Sequence, residues 1–228
     1  MMSEWQARQE IVEAGRRLSA SGFAAASDGN LSARLPGGRL LVTAAGARLG
    51  DLRPEQLLVV PLRDGADGTR PRLPAHLRPT SELAMHRCAY IERPDIDAVA
   101  HAHPVMVTAF TVAGCSLEDA PLPEVILAFG SIPTAPYATP STDAGADAIR
   151  ELIRAHDVLV LDRHGALAAG RGPLDAFHKL EKLEHAARIL FHARLLGRME
   201  RLPDEEAERL RSMRQRAAAC AAGMEGGA

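Results

Sequence analysis

The segment Asp97-Ala98-Val99-Ala100-His101-Ala102-His103 holds a short apolar run that ends in two histidines. The run predicts a buried strand over residues 98–103. Side chains alternate across a strand with a period of two, so His101 and His103 point to one face and can bind a single metal ion together. The segment therefore predicts an interior strand with a pair of metal ligands at its end.

A third histidine, His164, follows the apolar run Val158-Leu159-Val160-Leu161, which predicts a second strand over 158–163. Three neutral imidazoles that leave one coordination position open are typical of a catalytic metal site, and they suit zinc, cobalt, iron or manganese. The alternative is a chance H-x-H pair, because the chain has nine histidines. The motifs around these residues favour the metal site.

Composition limits the class of protein. A chain of 228 residues, 46% of them hydrophobic, fits one large domain with a real core, residues 1–228. The net charge of −2 gives no basic field for nucleic acid, so a small molecule is the expected partner. Three cysteines without C-x-x-C spacing predict neither a disulfide framework nor a cysteine metal site. The expected compartment is the cytoplasm.

No targeting or membrane segment is predicted. Residues 1–9 carry Glu4 and Arg8 and lack the apolar centre of a leader peptide. No apolar run approaches the 18 or so residues that a membrane span requires. We therefore expect no association with a membrane.

The remaining pattern mixes strands and helices without the regular alternation of a nucleotide-binding fold. Apolar segments also occur at 125–127 and 132–137, and Pro104 is placed to start a helix at its first position. A surface turn is predicted over 63–68, and the tail, 203–228, is expected to be a charged helix that frays at its end. Helices are predicted over 6–20, 142–155, 173–196 and 204–222, and strands over 31–35, 39–43 and 57–62, with 166–169 continuing strand 158–163 or pairing with it.

The segment Pro79-Thr80-Ser81-Glu82 predicts the start of a helix, with Thr80 as its N-cap and an end before Pro94. Glu82 is either an ordinary helix-start glutamate or a functional one. The hydroxyls of Thr80 and Ser81, beside free N–H groups at a helix end, are typical of a phosphate site. Two separate turns offer further donors, at Asn30 and Gly46.

Several motifs occur in a fixed order along roughly residues 10–195. They are Ser27-Asp28-Gly29-Asn30-Leu31-Ser32, Leu41-Val42-Thr43 with Gly46, Pro79-Thr80-Ser81-Glu82, Arg93-Pro94-Asp95 with the H-x-H segment, Ala135-Pro136-Tyr137-Ala138 and Arg163-His164-Gly165. In this order they resemble the class II aldolase/adducin family, and in particular its L-fuculose-1-phosphate aldolase branch.

The resemblance implies a fold, an assembly and a metal site. The fold is a three-layer α/β/α sandwich around a mainly antiparallel sheet, and the assembly is a homotetramer with sites at subunit interfaces. The metal is a divalent ion, with zinc expected first and manganese, cobalt or iron as alternatives. His101, His103 and His164 are its implied ligands, and Glu82 is the implied acid/base group, which can itself contact the metal when substrate is absent.

The resemblance also implies a phosphate pocket and tyrosine acids. Asn30, Gly46, Thr80 and Ser81 match the residues that bind a sugar phosphate, but Ala45 stands where a threonine is expected. The resemblance to fuculose-phosphate aldolases implies tyrosines as acids, one of them in the C-terminal tail. This chain has only Tyr90, expected in the core, and Tyr137, which we predict to reach the site as a catalytic residue.

The implied activity is metal-dependent cleavage of a ketose 1-phosphate, such as fuculose or ribulose 1-phosphate, to dihydroxyacetone phosphate and an aldehyde through a metal-stabilised enediolate. A dehydratase or a decarboxylase of the same family remains an alternative. Epimerases of the family carry aspartate where Glu82 stands, which argues against epimerisation. A non-catalytic adducin-like module is a weaker alternative because the glutamate and histidines are intact, and a barrel metallohydrolase would need about 250 residues or more.

Overall fold

The computed structural model describes residues 2–63 and 73–225, with side chains up to residue 217. A seven-stranded sheet has the order β3-β2-β1-β4-β7-β6-β5, and its neighbours pair antiparallel except β5 and β6. The strands are β1 Asn30–Leu35, β2 Arg39–Thr43, β3 Leu57–Pro61, β4 Ala98–Ala102, β5 Thr134–Ala135, β6 Val158–Leu161 and β7 Gly165–Gly170. The helices are α1 Glu4–Ala20, α2 Leu83–Glu92, α3 Val105–Val112, α4 Pro123–Phe129, α5 Asp143–Ile153, α6 Pro173–Leu195 and α7 Asp204–Glu225.

Helices cover both faces of the sheet, so the predicted three-layer α/β/α sandwich is confirmed. Buried residues of α1, α3, α4 and α6 pack against one face, and those of α2 and α5 pack against the other. Strand β4 lies in the middle, between β1 and β7, and all five of its residues are buried. A strand covered on both faces has no solvent side, which explains why its sequence is almost wholly apolar.

The face of β4 that carries His101 is set by the strand's alternation. Ala100 and Ala102 pack into the core beside α1, α3, α4 and α6, whereas Val99 packs into the core beside α2 and α5. His101 therefore points toward α2, the helix that follows Glu82. The sheet and one helix thus bring two separate sequence motifs to the same place.

The structure corrects the predicted start of α2. The helix begins at Leu83 with Glu82 as its N-cap, so Thr80 does not cap it. Thr80 instead forms a local turn, in which its Oγ1 accepts a hydrogen bond of 3.3 Å from the backbone N–H of Glu82. Pro104 likewise precedes α3, which begins at Val105, because the proline keeps an extended ψ of 130°.

Strand β6 is shorter than predicted and ends at Leu161. His164 consequently lies in the turn between β6 and β7, where Arg163 has a φ of +55° that ends the extended backbone. Residues 166–169 belong to β7, the antiparallel hairpin partner of β6. Of the two short apolar segments, 125–127 lies within α4, and 132–137 contributes only the two residues of β5.

Part of the predicted turn at 63–68 and the end of the tail fall outside the described residues. The tail forms the expected helix, α7, which packs against α4. Within the described parts of the chain, no helix is both long enough and apolar enough to cross a membrane.

Candidate active site

The three histidines predicted as metal ligands meet at one end of the sheet. One ring nitrogen from each of His101, His103 and His164 lies within 4.8 Å of the others. Their ring centroids are 4.7–5.2 Å apart, and the Nε2 atoms of His101 and His103 are 3.1 Å apart. Three imidazoles this close leave room for one shared ion between them.

Neighbouring groups orient two of these rings. Nδ1 of His101 lies 3.0 Å from the carbonyl oxygen of Ala166, which holds the Nδ1–H tautomer and leaves Nε2 free as a ligand. Nδ1 of His103 lies 3.4 Å from a carboxylate oxygen of Asp28. Burial and the neighbouring His103 and His164 hold the pKa of His101 well below its usual range. A neutral, oriented ring is the form that a divalent metal requires, so these residues fit a metal.

Two glycines allow the surrounding turns to approach the histidines. Gly29 has a φ of +77°, and a Cβ added there would lie 2.9 Å from the carbonyl oxygen of His101. Gly165 has a φ of +139°, and its Cβ would collide with the carbonyl oxygen of Ala102 and lie within 3.1 Å of the backbone of His103. Only residues without a side chain let both turns lie this near to the end of β4.

The carboxylate of Glu82 faces the same point. Its two oxygens lie 3.1 Å from Nε2 of His101 and 3.4 Å from Nε2 of His164, and the side chain is 10% exposed. Asn30 donates a hydrogen bond of 2.9 Å from Nδ2 to the oxygen beside His101. Glu82 can therefore either contact an ion held by the histidines or exchange a proton with a molecule bound to it.

A cavity of about 350 Å³ opens beside Glu82 and His164. All four predicted phosphate-binding residues line it, namely Asn30, Gly46, Thr80 and Ser81. Gly46 has a φ of +76° with nothing within 4 Å of the position of a Cβ, so its backbone faces open space. Ala45 is exposed on the same wall, where the expected threonine would have added a hydroxyl.

The helix end at Glu82 offers fewer free donors than the sequence predicts. The backbone N–H groups of Glu82, Leu83 and Met85 already donate to Oγ1 of Thr80, the carbonyl of Thr80 and the carbonyl of Glu82. Polar groups for an anion are therefore the side chains of Asn30, Thr80 and Ser81 and the backbone of Gly46.

The structure does not bring Tyr137 into the site of its own chain. The side chain is 56% exposed, and its neighbours Pro136 and Ala138 line the pocket beside Glu82 instead. Alternate residues of an extended segment point in opposite directions, which explains this outcome. Tyr90 is 1% exposed and lies in the core, as predicted.

Sequence reasoning missed a buried set of polar residues behind Glu82. His86 contacts Asn30 and Ser32, and Ser32 contacts Tyr90. One signal was available in the sequence, since Glu82, His86 and Tyr90 recur every four residues and so share one face of a helix. Asp28 was also missed as the neighbour of His103, because nothing in its sequence position distinguishes it from an ordinary turn residue.

Residues 9–191 match a family model described as Class II Aldolase and Adducin N-terminal domain. The chain belongs to the class II aldolase and adducin family. The 3-oxo-tetronate 4-phosphate decarboxylase of Pectobacterium atrosepticum is 31% identical over 196 residues, which cover 84% of this chain and 86% of that protein. The 5-deoxy-D-ribulose 1-phosphate aldolase of Bacillus thuringiensis is 30% identical, with coverage of 89% and 92%.

Solved structures of the family show the same fold. An L-fuculose 1-phosphate aldolase structure superposes with a TM-score of 0.80 at 27% identity, covering 91% of this chain and 95% of the other. The likeness confirms both the fold and the family resemblance predicted from the motifs. Members named as decarboxylases and as aldolases are thus about equally similar in sequence to this chain.

Proposed function

We propose that this protein is a metal-dependent carbon–carbon lyase that acts on a small phosphorylated ketone. The observation that carries the proposal is the convergence of three histidine nitrogens and the Glu82 carboxylate beside a polar cavity. These are the parts that cleavage of a carbon–carbon bond next to a ketone needs. They are a cation site, a group that donates and accepts a proton, and a binding site for the phosphate group of the substrate.

His101, His103 and His164 would hold the divalent ion, for which we propose zinc because all three ligands are imidazoles. When bound, the ion supplies a Lewis acid for the charge that develops on the ketone oxygen. Glu82 lies near enough to the histidines to deliver a proton to the carbon that loses its substituent. Asn30, Gly46, Thr80 and Ser81 would hold the phosphate and so fix which carbon faces Glu82.

Two leaving groups fit this chemistry. From a 3-oxo acid phosphate the bond between the carboxylate and the neighbouring carbon breaks, its electron pair passes into the ketone, and carbon dioxide leaves. Glu82, after taking a proton from water, delivers it to that carbon. From a ketose 1-phosphate the bond between the first and second carbons beyond the ketone breaks, and the second carbon leaves in an aldehyde. The hydroxyl on that second carbon must also lose a proton. Aldol cleavage therefore needs one more proton acceptor than decarboxylation.

The placement of the tyrosines favours carbon dioxide as the leaving group. Tyr90 is buried in the core, Tyr137 is exposed outside the cavity, and the tail contains no tyrosine. Within one chain, the described site thus holds no tyrosine that could serve the hydroxyl of an aldol substrate. We propose decarboxylation of a 3-oxo acid phosphate first, and ketose 1-phosphate cleavage second, with the acid then supplied by water or a neighbouring chain.

A product assay tests both reactions together. Zinc-loaded protein is given 3-oxo-tetronate 4-phosphate and, separately, fuculose and ribulose 1-phosphates, and dihydroxyacetone phosphate, carbon dioxide and aldehyde are each measured. We expect dihydroxyacetone phosphate with carbon dioxide from the acid, at least about tenfold faster than with aldehyde from either ketose. The reverse preference would select the aldolase, and no dihydroxyacetone phosphate from any substrate would overturn the lyase proposal.

We also propose that the protein works as a homotetramer. Val105 and Val112, seven residues apart on one face of α3, are 65% and 67% exposed, and Leu195 and Leu196 are exposed at the end of α6. Apolar exposure of this kind is typical of a surface that another chain covers. Since Val105 follows His103 by two residues, a chain docked there would lie beside the site. Light scattering of the protein as it elutes from a size-exclusion column would measure its mass, and we expect the mass of four chains.

A further inference from the structure

A row of polar side chains connects helix α2 to strand β1 behind the site. Glu82 at the N-cap of α2 and His86 and Tyr90 within the helix are spaced four residues apart, and Asn30 and Ser32 lie two residues apart on β1. Four residues of helix rise about 6 Å and two residues of strand about 6.7 Å, so the two rows stay nearly in register. The side chains on α2 consequently come within hydrogen-bonding distance of the side chains on β1.

The contacts form one continuous chain. The hydroxyls of Tyr90 and Ser32 are 2.9 Å apart, Oγ of Ser32 is 2.6 Å from Nδ1 of His86, and Nε2 of His86 is 2.5 Å from Oδ1 of Asn30. Nδ2 of Asn30 then donates to Glu82 at 2.9 Å. His86 is fully buried, so no solvent competes for these groups.

The hydrogen-bonding capacity of each group fixes the direction of the chain. An ionised Glu82 only accepts, so Asn30 must present its NH₂ group to the carboxylate and its oxygen to His86. That oxygen also only accepts, so Nε2 of His86 must carry the hydrogen and Nδ1 must accept from Ser32. Burial, with the nearby His101, lowers the pKa of His86 to about 3, which keeps the ring neutral.

We propose that His86 is a positioning residue for Asn30 and Glu82. As the neutral Nε2–H tautomer it holds the carboxamide of Asn30 in one orientation, with the NH₂ group toward Glu82 and the cavity. Without that donor the carboxamide can rotate by 180° and turn its oxygen toward the carboxylate, which repels it. The consequence for catalysis rests on the proposed function, whereas the tautomer and the amide orientation do not.

The first measurement concerns the tautomer and needs no substrate. Long-range ¹H–¹⁵N spectra of the full chain with labelled histidine, assigned by comparison with His86→Gln, report which ring nitrogen carries hydrogen. We expect a protonated Nε2 and a bare Nδ1 for His86 at neutral pH. A ring protonated at Nδ1 alone, or at both nitrogens, would overturn the proposal, whatever reaction the protein catalyses.

The second measurement compares two substitutions of His86 by an amide side chain, each of which replaces only one of the two ring nitrogens by an amide nitrogen. In His86→Gln the amide nitrogen can occupy the position of Nε2 and still donate to Asn30, whereas in His86→Asn the shorter side chain reaches only the position of Nδ1. We expect His86→Asn to lose roughly 10- to 100-fold in kcat and His86→Gln to retain most of it. Circular dichroism and metal content are measured for both proteins.

A control removes the far end of the chain of contacts. Tyr90→Phe deletes a hydroxyl but leaves the donor of His86 in place, so kcat should stay within about threefold of wild type. Equal losses in folded His86→Asn and His86→Gln would contradict a positioning role, as would a loss in His86→Asn that only follows its folded fraction. If wild type turns over none of the phosphorylated ketones, the proposed function fails while the tautomer result still decides this inference.

Discussion

Glu82 lies at the start of a helix, beside two histidines and within hydrogen-bonding distance of Asn30. It stands at the N-cap position of α2, and its carboxylate oxygens lie 3.1 and 3.4 Å from ring nitrogens of His101 and His164. Asn30 donates a hydrogen bond to one of these oxygens. An ordinary helix-start glutamate would point to solvent and interact only with the helix end. Glu82 is instead 90% shielded and directed at the histidines, which favours a chemical role.

Replacement of Glu82 by glutamine should separate catalysis from metal binding. Glu82→Gln keeps the size of the side chain but removes the basic oxygen, so turnover should fall by roughly two orders of magnitude or more. Metal content should stay at the wild-type level because the three imidazoles remain. Steady-state kinetics and metal analysis are made on the same preparation.

The matched control is Glu124→Gln, because Glu124 is an exposed glutamate in the first turn of α4. It should leave turnover unchanged. Near-normal turnover in Glu82→Gln would show that the carboxylate takes no part in catalysis.

At the residue scale, the sequence predicted the groups whose role depends on spacing along one element. The H-x-H pair follows from the period of a strand, and both histidines lie where that period places them. The contacts of Asp28 and His86 depend on which elements pack together, and a sequence pattern does not state that, although the four-residue spacing of Glu82, His86 and Tyr90 could have placed His86 on the helix face toward the site. Tyr137 lies outside the cavity of its own chain for a local reason, since the alternation of an extended segment turns its neighbours Pro136 and Ala138 toward the pocket instead, and its catalytic role stays a prediction.

The elements that carry the site are held close by turns rather than by the strands alone. The turn at Gly29 packs against the end of β4, and the main chain of His103 donates to the carbonyl of Phe23 at 2.8 Å. On the other side, Oγ1 of Thr111 on α3 accepts from the backbone of Arg163, which anchors the turn that carries His164. Distortion of either turn should therefore spread to His103 and His164.

Gly29→Ala tests this dependence. Gly29 and Gly22 have nearly the same φ, +77° and +74°, but only the new Cβ of Gly29 would meet other atoms. Gly22→Ala should cost about 1 kcal/mol of unfolding free energy from the strained φ alone. Gly29→Ala should cost about 1–3 kcal/mol more and weaken metal binding, because the turn must move away from His101.

Chemical denaturation and metal titration of the two variants make the comparison. If Gly29→Ala and Gly22→Ala lose the same free energy and both keep wild-type metal affinity, then the close approach of this turn does not matter to the site.

The predicted elements were mostly right in type and less accurate at their ends. The long helices α1, α6 and α7 have strong patterns and begin within two residues of the predicted positions. The start of α2 was misplaced because a threonine two residues before Glu82 satisfies a backbone donor in a turn as well as in a cap. The strand before His164 was overextended because the φ of +55° at Arg163 is set by the hairpin, not by the residue type.

Across the whole molecule, a charge cluster ties the two helical layers together at the opposite end of β6 from His164. Asp157 lies 2.9 Å from Nη2 of Arg93, at the end of α2, and 2.9 Å from Nζ of Lys179 on α6. Burial raises the pKa of Asp157, but the charges of Lys179 and Arg93 outweigh it, so the pKa is lowered. A carboxyl with a lowered pKa contributes stability above its unfolded pKa and loses it as pH falls.

Asp157→Asn should therefore lower the unfolding free energy at neutral pH by about 1–3 kcal/mol, between the values for exposed and fully buried pairs. The difference from wild type should shrink as pH falls below about 4, where the unfolded carboxyl is protonated. Urea denaturation across this pH range measures it.

The control is Asp147→Asn, since Asp147 pairs with Arg150 but is 74% exposed, and it should change stability by less than about 0.5 kcal/mol. A loss in Asp157→Asn that does not depend on pH would show that packing, not charge, accounts for the cluster.

The layered fold was predictable at the whole-molecule scale only through the likeness of ordered motifs to a known family. The element pattern alone excluded a regular β-α repeat but did not give the strand order, because β4 pairs with β1 and β7, which are distant in sequence. Tertiary pairing of this kind depends on which apolar faces fit together, and short strands of Ala, Leu and Val do not encode a unique partner.

Metal stoichiometry is the measurement that bears most closely on the proposed three-histidine metal site. Protein stripped with a chelator is titrated with Zn²⁺, and the bound metal is counted for wild type, for Ala substitutions at His101, His103 and His164, and for His178→Ala, an exposed histidine on α6. We expect one ion per chain in wild type and His178→Ala, and much weaker binding in the other three, because two imidazoles and water bind less tightly than three. Full occupancy at wild-type affinity in all three site variants would show that these histidines do not hold the metal.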